Sequence, residues 1–133
     1  MNNQDCCIKE ILQIIRTLQD EAGQIDNIPN SCGRPFLGNI CTDACCFNTR
    51  PVTLYTCNCQ LLSMPYTLNG TDSTSSVFRV EKINDNCATF MVLAPNTDET
   101  SDLPYVPTNS FFTVNIDCIC IIRCLPDTFV SCL

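Results

Sequence analysis

Thirteen of the 133 residues are cysteine and none is histidine. Sulfur is therefore where chemistry would run, and its spacing decides which chemistry. A zinc site uses paired C-x₂₋₄-C knuckles, often completed by histidine. Here no C-x-x-C occurs, and a four-thiolate site could be drawn only from the C-x-x-x-C pairs Cys41/Cys45 and Cys120/Cys124. A thioredoxin-type redox centre also needs C-x-x-C, at a helix start. A nucleophilic cysteine needs a base beside it, most often histidine, and no glycine-rich phosphate loop is present. The residues point away from an enzyme, and no cofactor is expected.

Disulfides remain, and backbone geometry constrains them. In Cys57-x-Cys59 and Cys118-x-Cys120, strand geometry puts both side chains on one face, about 6.5–7 Å apart at Cα. That separation is at or beyond the reach of a bond within the pair, so each pair offers two attachment points. The vicinal pairs Cys6-Cys7 and Cys45-Cys46, if extended, point to opposite sides. Thirteen is odd, so a monomer leaves at least one sulfur without a partner, and a leftover cysteine points to pairing between chains. Cys6, Cys7, Cys41, Cys45, Cys46 and Cys132 lie in polar or terminal segments and are the candidates for intermolecular bonds. Cys87, Cys118 and Cys120 lie in apolar strands. With Cys124 they are read as structural: buried small hydrophobes or intramolecular partners. Three or more outward thiols per chain build a network, whereas two build only a linear polymer.

The elements that must carry these sulfurs are mainly β. Ile8, Ile11, Leu12, Ile15, Leu18 and Ala22 recur at helical spacing and predict one amphipathic helix over 5–22, with Asp5 as N-cap and Gly23 as stop. Asp5/Lys9 and Arg16/Asp20 are opposite charges four apart on it. Its apolar stripe packs against its own domain or docks on a neighbouring subunit. Residues 23–50 are rich in Gly, Pro and Asn and read as loop. Strands are expected at 51–59, 77–82, 88–94 and 110–122, with "INDNC" (83–87) as a hairpin turn. Residues 69–76 and 95–110 read as polar surface loops, the second long and acidic. Strands without alternating helices predict an antiparallel β-sandwich or jelly roll. The expected division is an N-terminal helix over 1–24 and a cysteine-rich β-sandwich over 25–133.

Composition narrows the partners. Hydrophobic residues make up 45% of the chain and charged ones 16%, enough apolar material for a core. The net charge is −7 and the seven basic residues are scattered, so the cationic footprint of a nucleic-acid binder is missing. No apolar run is long enough to insert in a membrane, and the N-terminal stretch does not read as a secretory signal. Synthesis in a reducing cytosol is expected. Yet a cysteine share near one in ten is that of an oxidised extracellular protein. Either the cysteines bind metal, or oxidation follows synthesis somewhere else.

Four stretches carry a resemblance: "RPFLG" (34–38), "NTRPVTLYT" (48–56), "VFRVEKINDNCATFMVL" (77–93) and "FTVNIDCICIIRCLPD" (112–127). In this order they resemble the cysteine-rich spore coat proteins Y and Z and the related exosporium protein Y of endospore-forming Bacillus-type bacteria. The last block is the most specific. Cys87, Cys118, Cys120 and Cys124 carry over individually, as positions rather than as bonded pairs. The resemblance implies a structural protein of the outer spore coat, crust or exosporium. Such proteins self-assemble into two-dimensional hexagonal sheets that disulfides harden. It also implies synthesis in the mother-cell cytoplasm, deposition on the spore surface, and partners that are further copies of the chain, as hexameric rings, and other spore coat proteins. That history would reconcile reducing synthesis with later oxidation. The competing reading is a cysteine-rich protein that buffers metal or thiol.

Overall fold

The structure is a computed structural model that describes residues 7–26, 47–131 and 133. Among the described residues it is mainly β, with antiparallel strands and one α-helix near the N-terminus. Helix α1 runs Cys7–Asp26. The strands are β1 (Val52–Thr56), β2 (Met64–Leu68), β3 (Thr71–Ser75), β4 (Phe78–Asn84), β5 (Cys87–Pro95), β6 (Tyr105–Asn115) and β7 (Ile119–Cys124). A five-stranded sheet has the order β6-β5-β4-β1-β7, and β2-β3 form a separate hairpin. No described helix is long and apolar enough to cross a membrane.

Helix and hairpin share the work of covering one sheet face, which gives a sandwich-like layering. Ile8, Leu12 and Ile15 of α1 are buried against Val52, Leu54, Val80 and Ile119, while Met64 and Tyr66 of the hairpin pack into the same core. At its centre Phe112 meets the Phe78 ring edge-on at 4.8 Å and stacks on Phe90 at 5.4 Å. Such pairs add about 0.5–1.5 kcal/mol beyond the burial of their area. The apolar stripe of α1 thus packs on its own domain. The stripe is only partly covered: Leu18 stays exposed, as does Ile14 beside it. Arg16 reaches Asp20 at 4.0 Å on the exposed side, whereas Asp5 lies outside the described residues.

Gln19 explains how the helix is seated. Strands β1 and β4 pair only at Val52↔Phe78. Continuing that register by two residues would set Arg50 opposite Val80, but no ladder bond forms there. The Gln19 amide spans the gap instead: Nε2 donates to the Val80 carbonyl at 2.9 Å, and Oε1 accepts from the Arg50 N–H at 3.2 Å. A polar side chain 5% exposed thereby satisfies two backbone groups that the diverging strands leave apart.

Several expected boundaries are corrected. The helix continues through Gly23 to Asp26, so Gly23 is not its stop. Segment 69–76 is not a loop: Asn69 (φ 54°) and Gly70 (φ 79°) turn β2 into β3. Asn-Gly is a strong short-range hairpin signal. Strand β3 hides because "TDSTS" is exposed at its first four positions and carries no apolar alternation. The acidic loop is shorter than expected, since β6 begins at Tyr105. Pro107 within β6 is tolerated because β6 is an edge strand. The strand expected at 51–59 stops at Thr56. The one expected at 110–122 is two strands parted by a 3₁₀ turn, Ile116–Cys118.

Candidate functional site

Those last two corrections move the sulfurs. After Thr56 the chain turns tightly: Thr56 N–H donates to the Gln60 carbonyl at 2.9 Å, and Cys59 N–H to the Thr56 carbonyl at 2.8 Å. Cys59 adopts φ 65°, a left-handed conformation that costs a non-glycine residue on the order of 1 kcal/mol or more. Cys57 and Cys59 are therefore turn residues and do not alternate along a strand. Cys118 closes the 3₁₀ turn while Cys120 lies in β7, so these two do not share a regular strand face either.

The 3₁₀ turn gathers this end of the molecule. Its first N–H, of Ile116, donates to the Asn86 carbonyl at 2.8 Å. Asn115 caps it by accepting from Asp117 N–H at 3.0 Å, and Asn86 Nδ2 donates to the same Asn115 oxygen at 2.9 Å. Cys87 pairs with Asn115 across β5 and β6. On the other side, Cys57 Sγ lies 3.9 Å from the Asp117 carbonyl oxygen, and Cys57 is bonded to Cys120. Two turns and a hairpin tip thus set Cys57, Cys59, Cys87, Cys118 and Cys120 along one rim, all exposed.

The Cys57–Cys120 bond joins Cα atoms 4.8 Å apart across a sequence separation of 63. Cys59, Cys87 and Cys118 are free thiols on the rim, and Cys7 and Cys124 are free and exposed elsewhere. Cys7 starts α1, and Cys124 faces Val52 at the opposite end of β7. Reading Cys87, Cys118 and Cys120 as buried small hydrophobes is thereby corrected: the strands that carry them are apolar, but these positions fall at strand ends and turns. Of the structural candidates, Cys120 takes an intrachain partner, and Cys87, Cys118 and Cys124 stay free. Of the intermolecular candidates, Cys7 is free, and Cys6, Cys41, Cys45, Cys46 and Cys132 lie outside the described residues. The two C-x-C spacings signalled a sulfur site, but not that they face each other.

Among the described residues, no three thiols and carboxylates converge as metal ligands would. What the arrangement can do is form, break and exchange disulfides at an accessible surface. The other end of the β1–β7 ribbon is built differently. Arg50 donates to both oxygens of Asp127, Nε at 2.6 Å and Nη2 at 3.0 Å. That bond raises the Arg50 pKa and lowers the Asp127 pKa from their ordinary values, with burial opposing both shifts.

A sandwich-like, mainly β domain with an internal disulfide and several outward thiols defines a class: a cysteine-rich, mainly β protein with its sulfur at the surface. The family model for Spore coat protein Z matches residues 1–106, and the chain belongs to that family. The match contains the first three stretches of the resemblance and ends before 112–127. No curated protein and no solved structure matches the chain. Membership makes it a structural component of the spore coat, deposited on the spore surface.

Proposed function

We propose that the chain is a self-assembling building block of the outer coat, crust or exosporium, forming a two-dimensional, hexagonal lattice that interchain disulfides harden. The observation that carries this reading is the distribution of free thiols. They stand on the rim, at the start of α1 and at the far end of β7, and three separated attachment points suffice for a net. Among the described residues, neither buried cluster contains a cysteine. Edge strands β6 and β7 offer templates for noncovalent contact, and rings joined through two-fold contacts tile a plane. Weak contacts repeated around each subunit set the geometry first. Disulfides then lock it, adding kinetic stability rather than shape. Synthesis in the mother-cell cytoplasm, with oxidation after deposition, fits this order of events, as does association with other coat proteins.

Electron microscopy of the purified chain with and without reductant, beside non-reducing gels, tests the proposal. Ordered sheets and heat-resistant, reductant-sensitive multimers are expected. Oxidised protein that runs as a soluble single chain, with its thiols tied within that chain, overturns it. Stoichiometric zinc in fresh monomer would favour a metal-buffering protein instead.

A further inference from the structure

We infer that the Cys57–Cys120 bond is an exchangeable disulfide through which one copy links to the next without an external oxidant. Both bonded cysteines are exposed, and each has an exposed free thiol two residues away, Cys59 and Cys118. Cys87 stands beside the same 3₁₀ turn through its pairing with Asn115. Cys120 lies on β7, an edge of the five-stranded sheet, where a second copy can approach. An accessible disulfide among free thiols has the make-up of the labile kind, because a thiolate needs only access to one sulfur to displace the other.

The step balances without oxidation. A rim thiol of a second copy (Cys59, Cys87 or Cys118) loses its proton to solvent, and its thiolate attacks the Cys120 sulfur. A new interchain S–S bond forms, the Cys57–Cys120 bond breaks, and Cys57 leaves as a thiolate that takes up a proton. One disulfide is consumed for each one made, so the free-thiol count is unchanged. The released Cys57 can then attack the intact pair of a third copy. Once its Cys57–Cys120 bond has formed, each chain carries its own oxidising equivalent, and linkage then waits only on contact between rims. The inference rests on the proposed disulfide-hardened assembly and names its chemical route.

The test uses the full chain, purified under nitrogen with the Cys57–Cys120 bond confirmed by peptide mass mapping. It is then held at pH 8 without oxidant, with a parallel sample in air. Interchain multimers are expected on non-reducing gels under nitrogen, at constant free-thiol titre, with Cys57 or Cys120 in the new bonds. The Cys57→Ser/Cys120→Ser variant is expected to stay unlinked under nitrogen and to link in air. The inference is overturned if the wild type links in air but not under nitrogen, if the thiol titre falls as links form, or if the new bonds contain neither cysteine. Should the double variant fail to fold, the wild-type titre and peptide map decide alone. Absence of interchain bonds in both atmospheres overturns the proposed assembly as well, so the two failures are distinguishable.

Discussion

The β1–β7 ribbon is closed at one end and open at the other. At the closed end the chain sews itself together. Thr49 and Thr128 exchange backbone hydrogen bonds at 3.1 and 2.9 Å, and Leu125 N–H donates to the Pro51 carbonyl at 2.8 Å. The Asn48 side chain acts like a strand edge, donating to the Val130 carbonyl at 3.0 Å and accepting from its N–H at 2.9 Å. Arg79 adds a bond from Nε to Thr49 Oγ1 at 2.9 Å. The polar groups named there find partners inside the molecule, and a single exposed free thiol, Cys124, stands beside them opposite Val52. At the open end one covalent bond holds the ribbon, and three thiols around it remain free. Hydrogen bonds saturate within the chain, so the closed end serves stability. Free thiols keep unspent valence, so the open end is suited to neighbours.

The sharpest break in this contrast is removal of the covalent link. A closed loop spanning a separation of 63 residues stabilises by about 4 kcal/mol in the chain-entropy account, and measured values commonly fall at 2–4. Reduction, or Cys57→Ser/Cys120→Ser, is expected to lower unfolding stability by about that amount in urea titrations. A loss below about 1 kcal/mol would mean that the open end is held by packing instead.

Next comes Gln19, which ties α1 to the closed end through Arg50. Gln19→Leu leaves the Val80 carbonyl and the Arg50 N–H without partners in a buried place, a loss of about 1–3 kcal/mol by the same measurement. Asn48→Ala removes two bonds to Val130 in a half-buried setting and is expected to cost about 1–2 kcal/mol. No loss in either variant would show that the closed end is not maintained by its polar bonds.

The Arg50–Asp127 pair should matter less. The side chains are 39% and 37% exposed, and ion pairs so open to solvent contribute below about 1 kcal/mol. The folded Asp127 pKa is depressed. Its contribution is therefore present above the unfolded carboxylate pKa, about 3.9, and is lost as pH falls through the lower folded value. Asp127→Asn should weaken the protein slightly at pH 7 and progressively less as pH falls below the ordinary carboxylate range; a difference that stays constant with pH would show that charge is not the cause. The smallest stability change belongs to the rim thiols. Cys59→Ser and Cys118→Ser are expected to shift unfolding by less than about 0.5 kcal/mol, yet to thin the interchain bonds counted by mass mapping. A large stability loss would make those cysteines structural and remove the contrast between the two ends.

The sequence alone determined what short-range patterns carry. The 3.6-residue spacing from Ile8 to Leu18 specified an amphipathic helix. The β-branched and aromatic runs at 77–82 and 88–94 specified β4 and β5, with "INDNC" turning between them. The mainly β, antiparallel class followed from the same patterns, and the abundance of cysteine without histidine directed attention to sulfur. Strand β3 went unread because an exposed polar strand has no hydrophobic period. Only the tertiary structure decided that Cys57 meets Cys120, that Cys59 and Cys118 flank the bond, and that Gln19 bridges two diverging strands. The reason is distance along the chain. Helical and strand signals act over a few residues, whereas bonded partners separated by 63 positions are chosen by where β1 ends and where a 3₁₀ turn interrupts the passage from β6 to β7. Any two of thirteen sulfurs could be drawn as a pair; packing of the sheet against helix and hairpin leaves these two within bonding reach.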